Sequence, residues 1–316
     1  MAFPFPPSLR GGVTPPTLDA WQFQYNGLTF GAGTSFGILS VKGLAMADVR
    51  HQDSVLPRDS GYLPGLDVYG GRTVELDLWM TGIGGLQSNQ VALAEAFPLG
   101  FATESPLWFQ LPNMPLLCVM ARTRKRTIRW DAVFAAQAVA KPMLQLYCTD
   151  PRIYGVSVVQ TVGLGAVSGG GLTFPVGPFP VTFGATAPAS LTVTNSGTDE
   201  SRPVILFTGP LTAPYLQNST ITSGPLVQVI NPSSGGFTIL DGDQLMVDMN
   251  VPHRVLYFSG GLAGGQAGSS VRSWLTAPSV WWDLPAATSS VLVFGSQDSS
   301  QTSGSVSVVS APAYQL

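Results

Sequence analysis

Charge is what this sequence has least of. Of its 316 residues, 10% are Asp, Glu, Lys or Arg, against roughly 25% in an ordinary soluble chain. A surface so poor in charge suits a protein that lives packed against neighbours better than one that stays solitary. The net charge of −3 makes no case for nucleic acid or for a membrane surface. The two cysteines, Cys118 and Cys148, are too few for a disulfide framework and form no Cys-x-x-Cys. Both lie in strand-like apolar runs, so the expectation is two buried free thiols. The two histidines, His51 and His253, each stand alone, which supplies neither a zinc-ligand spacing nor the base of a Ser-His-Asp triad. No stretch approaches the ~20 apolar residues of a membrane span. The start, Met-Ala-Phe-Pro-Phe-Pro-Pro, lacks the cationic opening and apolar run of a secretory signal. The expectations are no catalytic site, no cofactor, no metal, no nucleic-acid partner and no membrane insertion, in a protein made in a cytoplasm and soluble or assembled from there.

Hydrophobic residues make up 45%, with 36 Gly and 26 Pro. Short β-branched and aromatic runs lie between the Gly and Pro clusters, which predicts many short strands and turns rather than disorder. The length is too great for one ordinary core and comfortable for two. The organising stretch is Met143 to Gly155. Met143, Gln145 and Tyr147 alternate with Leu144, Leu146 and Cys148 as a strand would, and Asp150-Pro151 stops it. Residues 1–154 hold 12 Lys+Arg and 11 Asp+Glu, a balance of +1; residues 155–316 hold 3 and 7, a balance of −4. This predicts domains at 1–154 and 155–316, with Asp150, Pro151, Arg152 and Tyr154 at the junction and acting as the hinge.

In the first half, residues 1–19 read as an extended arm. Trp21 to Tyr25, Asn26-Gly27 and Leu28 to Phe30 form a hairpin signal, Asn-Gly supplying the two φ > 0 positions of a type I′ turn. Ile38 to Val49 reads as a strand and His51 to Gly65 as a long loop. In Thr73 to Met80, Val74, Leu76, Leu78 and Met80 share one face. Residues 86–97 read as the one helix, capped by Ser88, with an apolar stripe of Val91, Leu93, Ala94 and Phe97. Strands follow at Leu107–Leu111 and Leu116–Arg122, then a turn at Arg124-Lys125-Arg126, with Thr127 to Phe134 leading on. Past Val156 no run has helical periodicity. Strands separated by Gly, Pro, Asn and Ser clusters predict a sandwich or barrel.

The functional candidates are few. Arg122, Arg124, Lys125, Arg126 and Arg129 form the sole basic cluster, read as a solvated hairpin tip or, for Arg122, Arg124, Lys125 and Arg126, as subunit contacts. Trp281-Trp282 with Trp274 is the best candidate for a glycan-facing patch, though core and interface packing is the commoner use of Trp. Asp241-Gly-Asp243 with Asp248 reads as a hairpin turn, because the further oxygens of a calcium loop are missing. These aspartates and Asp283 are also the supply of carboxylates for a polysaccharide hydrolase, which needs two convergent ones. Asn218-Ser-Thr220 fits a glycosylation acceptor, but nothing implies secretion.

Taken together, Tyr69-Gly-Gly-Arg72 opening an alternating strand, the helix near 86–97, Val119-Met-Ala-Arg122 before the basic stretch and Cys148-Thr-Asp-Pro-Arg-Ile-Tyr154 resemble the distal tail (Dit-like) proteins of long, non-contractile-tailed bacteriophages. The second half carries similar landmarks: Asn195-Ser-Gly197 before Arg202-Pro-Val-Ile205, Leu240-Asp-Gly-Asp-Gln-Leu-Met-Val-Asp248, Trp282-Asp-Leu-Pro285 and Ala313-Tyr314. Ala286-Ala287 departs from the Gly-Asn usual in the family after that proline. The resemblance implies a mainly β protein, with a β-rich ring-forming N-terminal domain bearing one α-helix and a galectin-like C-terminal β-sandwich. It implies a structural virion protein at the tail tip, assembled in the host cytoplasm and not an enzyme. Six copies would form a ring joining the tail tube to the tip or hub proteins. The alternative is a lectin-like module contacting host cell-wall glycan.

Overall fold

The computed structural model describes residues 15–45, 47, 49–56, 60–82, 85–100, 103–129, 139–164, 173–176, 179–182, 189–221, 226–228, 237–250, 254–261, 268–275, 280–296 and 303–315. The chain is mainly β and divides into two units, Met1–Val156 with Tyr314–Leu316, and Ser157–Ala313. His253 lies outside the described residues, as do residues 1–14 and 130–134.

The first unit contains β1 (Gln22–Tyr25), β2 (Leu28–Gly31), β3 (Phe36–Lys42), β4 (Val49–Arg50), β5 (Ser54–Val55), β6 (Tyr62–Leu63), β7 (Val68–Tyr69), β8 (Arg72–Thr81), helix α1 (Leu86–Ala96), β9 (Ser105–Gln110), β10 (Leu116–Arg129), β11 (Val139–Cys148) and β12 (Ile153–Tyr154). Asn26 (φ 45) and Gly27 (φ 84) make the expected turn, and Tyr25 pairs Leu28 across it. The main sheet runs β2-β1-β9-β10-β11-β8-β3, with β12 and Ala313–Tyr314 attached to it. Its long strand is β10. Leu116–Ala121 pair with β9, Arg122–Arg129 pair with β11, and the register slips at a bulge between Thr123 and Lys125. A strand that changes partners along its length lets one sheet fold over its own core. That core takes Phe23, Phe30 and Phe109 from one arm of the sheet, Val74, Leu76, Leu144 and Leu146 from the other, and Leu93, Ala96 and Phe97 from the helical segment.

The expected turn at Arg124-Lys125-Arg126 is therefore corrected: these residues lie inside a 14-residue strand. A strand with one solvent-facing side accommodates consecutive cations, especially where a bulge re-aims one of them. The helix has Gly85 at its N-cap and no side-chain cap; Ser88 sits inside it and donates to the Gly85 carbonyl. Val91 is 50% exposed, so it lies off the buried stripe. The expected loop over 51–65 is a double ribbon, β4 pairing β7 and β5 pairing β6.

The second unit is a sandwich. One sheet orders Val158–Gly163, Ser305–Ser310, Val204–Thr208, Gln244–Asp248, Arg254–Phe258 and Ser269–Ser270. The other orders Ala189–Asn195, Thr288–Gly295, Tyr215–Asn218 and Leu226–Gln228. Phe207, Leu245 and Val306 meet Leu216, Leu292 and Phe294 in one core. Thr238–Ile239 pairs with Leu211–Thr212 and not with Gln244–Asp248. The Asp241-Gly-Asp243 turn therefore carries the chain between sheets rather than closing a hairpin. Ala287 holds the positive-φ position (φ 51) after Pro285, and its N–H donates to the Gly197 carbonyl.

Asp243 fastens that turn. One carboxylate oxygen accepts from the Tyr257 hydroxyl and the other from the Gly260 N–H at 2.7 Å. The tyrosine hydrogen bond, with help from the Gly260 N–H, holds the carboxyl below its ordinary value. Burial first, and then the carboxylate, push the Tyr257 phenol up to about 12. A carboxyl lowered on folding contributes stability above its unfolded range and loses it as pH falls through the folded value. A phenol raised on folding contributes below about 10 and loses it as pH rises toward about 12. Asp243→Asn is expected to flatten the acid limb of a stability–pH profile followed by urea unfolding, and Tyr257→Phe the alkaline limb. Unchanged limbs would mean the bond forms equally in the unfolded chain.

Candidate assembly sites

The residues offered as functional candidates fall in three places, and a fourth place was not anticipated. The fourth is Arg72. It follows Gly70-Gly71 and shares parity with Val74, Leu76, Leu78 and Met80, so β8 carries it onto the inward face. It is 2% exposed. Its Nε donates to the Pro151 carbonyl at 2.8 Å, and one terminal nitrogen donates to the carbonyls of Gly43, at 2.9 Å, and Leu44. Burial lowers its pKa, while Cys148 and Asp150 act in the opposite direction; a guanidinium nevertheless stays charged in a protein. One side chain thus ties the end of β3, the start of β8 and the stretch after β11. Gly71 leaves room beside it for Tyr147: a Cβ there would lie 2.2 Å from the tyrosine hydroxyl and displace the ring. The parity of Arg72 with four apolar residues was a signal in the sequence that it faces inward.

The Asp150 stretch belongs to the same knot. Asp150 accepts from the Arg152 N–H at 3.1 Å and from the Tyr154 hydroxyl. Its Oδ1 lies 4.0 Å from the Arg152 guanidinium. Ile153 is buried in the first core, and Tyr154 pairs with Cys118. Arg72 and β12 bind the Asp150-Pro151 stretch into the first unit, just before its boundary at Val156.

The basic cluster divides by role. Arg126 donates to the carbonyls of Ala94 and Phe97, at 2.8 and 3.0 Å. It satisfies the open C-terminal carbonyls of α1 and favours its negative end. Within its own unit the guanidinium thus serves the helix end. The Arg124 guanidinium lies 3.5 Å from the Tyr147 ring centroid and that of Arg122 5.7 Å. Arg124 and Lys125 are exposed. Neither they nor Arg122 forms an ion pair among the described residues. A shallow pocket of about 240 Å³ adjoins Arg122, walled by Tyr25, Pro98 and Thr123.

The tryptophans also separate. Trp282 is 5% exposed and part of the second core. The glycan-facing expectation for it is corrected, because a ring inside a core presents no face to a sugar. Trp281 is partly buried against the same core, with the Arg272 guanidinium 5.8 Å from its ring. Trp274 ends a short 3₁₀ turn, Arg272–Trp274. Asn218 is fully buried, which removes it as a glycan acceptor in the folded protein.

Cys118 and Cys148 are free and fully buried. Burial is the main force pushing both thiols up to about 12. The thiolate is the reactive form, so neither is expected to react with a disulfide reagent at pH 8 in the native protein, and both should react in urea. Fast labelling of either thiol without denaturant would contradict the core described above. Their rate of labelling also reports opening of the first unit alone.

No family model matches the chain, and no curated protein matches it. Solved structures do. The Dit protein of phage SPP1, described as a paradigm of the hub adsorption apparatus in phages infecting Gram-positive bacteria, superposes with a TM-score of 0.58 at 17% identity, covering 92% of this chain and 98% of that one. The baseplate of phage P2 in its calcium-activated conformation contains a chain similar at a TM-score of 0.48 and 6% identity, over 91% and 97% of the two chains. The fold of this chain is thus that of the SPP1 Dit protein over nearly its whole length.

Proposed function

We propose that this chain is a structural protein of a phage tail hub. Its first unit builds a closed ring of about six copies at the distal end of a long non-contractile tail, and joins the tail tube to the host-recognition apparatus. The observation that carries this reading is the shared fold with the SPP1 Dit protein across both units, 92% of the chain. The low charge of the whole sequence supports it, since ring subunits hide much of their surface. In this reading the boundary falls near residue 154. The ring domain precedes it and a galectin-like sandwich follows it, while Arg122, Arg124 and Lys125 offer cations to a neighbour. The reaction class is none; the work is binding. Light scattering behind a sizing column, with negative-stain images of the same peak, is expected to give a closed ring. Antibody labelling of intact virions is expected at the tail tip. A monomer at every concentration, together with absence from purified virions, overturns the proposal.

One observation favours a second reading. Trp281, partly exposed beside Arg272, offers an aromatic face and a cation to an acidic or neutral cell-wall glycan. Trp281→Ala should then abolish host-cell binding while the protein still folds, with at most a modest shift of the unfolding curve from the packing it loses. A fold shared with lectins is no evidence of sugar binding by itself, so retained binding removes this reading.

A further inference from the structure

The ribbon between β3 and β8 buries almost nothing of its own. Its four strands have two residues each, and a ribbon that short is marginal in water. Polar contacts hold it: His51 Nδ1 lies 2.9 Å from Asp67 Oδ1, and the Gly65 N–H donates to Asp53 at 2.9 Å. Its large apolar side chains face solvent. Val55 is 69% exposed, Tyr62 67%, Leu63 55%, Leu66 71% and Tyr69 48%. The base, by contrast, is rigid, because Arg72 clamps the Gly43–Leu44 exit of β3 beside the start of β8. An apolar strip on a firmly held projection marks a protein contact.

A complementary surface lies on the same unit. The outward row of α1 is Gln87, Val91 and Glu95, four residues apart and so aligned on one face. Val91 is 50% exposed and Leu99, just past the helix, is 47% exposed. The Glu95 carboxylate and the Arg50 guanidinium, at the ribbon, both lack an ion-pair partner among the described residues. The ribbon leaves from the first residue of β8 and the helix follows its last. Ten residues of strand span roughly 33 Å, so the two surfaces serve opposite ends of one element.

We propose that the ribbon of one copy docks on the outward row of α1 of a second copy. Val55 and Tyr62, paired across the ribbon and so on one face, cover Val91 and Leu99 together with Leu66, and Arg50 pairs with Glu95. This rests on the self-assembly proposed above. The contact is head to tail: each copy gives one arm and receives one, and such contacts close into a ring or continue as a stack according to the rotation between copies. These few side chains supply only a fraction of the ~800 Å² that one partner hides in a standard interface. A single arm is therefore a weak contact, and the closed assembly makes it strong.

The test uses the full chain and a concentration series of light-scattering masses. Arg50→Glu and Glu95→Arg are each expected to raise the midpoint of assembly about tenfold, the equivalent of ~1.4 kcal/mol. The Arg50→Glu/Glu95→Arg double variant should return to within about threefold of the parent, as a swapped pair should. Tyr62→Ser/Leu66→Asp should remain monomeric with both thiols still protected, which shows that the fold is intact. If the parent forms rings and these variants do too, the arm-to-helix contact is wrong and the ring reading survives. If the single variants fail to assemble and the double variant is no better, the ribbon meets another surface and the pairing is wrong. A parent that stays monomeric at its solubility limit overturns the contact.

Discussion

Arg72→Leu is expected to cost about 3–5 kcal/mol. The carbonyls of Gly43, Leu44 and Pro151 lose their shared donor, and a buried acceptor without a partner costs about 1–3 kcal/mol, less what entering water recovers. Domains are stable by about 5–15 kcal/mol, so the loss is a large share of the whole. Leucine fills part of the volume and supplies no donor, which isolates the hydrogen-bonding role from packing. Arg72→Lys keeps the charge but offers one compact ammonium where a planar fork reached two directions; it should recover only part of the loss. The readout is local. Cys118 and Cys148 are buried in the same unit, so their labelling in low urea should accelerate by a hundredfold or more, on the order of exp(ΔΔG/RT) for such a change. Because Arg72 also sets the base of the ribbon, Arg72→Leu should impair self-assembly at concentrations where the unit is still folded. A cost below about 1 kcal/mol would show that the three carbonyls find other donors.

The second large effect is expected at Asn195. Its side chain is 1% exposed. The amide nitrogen donates to the carbonyls of Asp199 at 2.8 Å, Leu284 at 3.0 Å and Pro285 at 3.2 Å. The amide oxygen accepts from the N–H groups of Gly197 at 3.1 Å and Ala313 at 3.4 Å. Five backbone groups from three stretches of the second unit converge on one amide. Gly197 is part of the same knot, since a Cβ there would lie 1.8 Å from the Ala313 carbonyl oxygen. Asn195→Ala is expected to cost about 3–4 kcal/mol, because a fully satisfied buried network loses its centre at once. Asn195→Asp is nearly isosteric and should cost as much at neutral pH: a carboxylate accepts only, and three carbonyls would then face it. Burial raises such a carboxyl above its ordinary range. The penalty is therefore largest above that range and is relieved as pH falls and a proton restores one donor. Urea unfolding should show the second unit's transition moved to lower denaturant, with thiol protection in the first unit unchanged. Equal loss at pH 4 and pH 7 for Asn195→Asp would mean that the carbonyls, not the charge, dominate. Loss of thiol protection would mean that the two units unfold together.

Much of the fold was legible because its signals are local. Asn26-Gly27 between alternating aromatic strands allows one turn geometry. The even-numbered apolar residues from Val74 to Met80 allow one buried face. Where the reading failed, the deciding contacts were distant. Arg124-Lys125-Arg126 resembles a solvated turn, yet β11 pairs alongside it and makes it strand. The polar, Pro-containing stretch 51–65 resembles a loop, yet Ser54 meets Leu63 and Val55 meets Tyr62. Trp281 and Trp282 are adjacent in sequence, and nothing local says that one is core and the other half outside.

By itself the sequence determined the class: many short strands, one helix, and a composition short of charge. Composition and period suffice for that, because strand and helix each impose their own spacing on apolar residues. Only the tertiary structure decided which polar residues hold each unit together. Arg72 and Asn195 gain their roles from carbonyls and N–H groups up to 118 residues away in the chain. A backbone group carries no residue-specific signature, so the partners of a buried polar side chain appear only when the fold brings them to it. The same holds for the ribbon: its apolar residues were visible in the sequence, but that they face solvent on a clamped base was settled by folding.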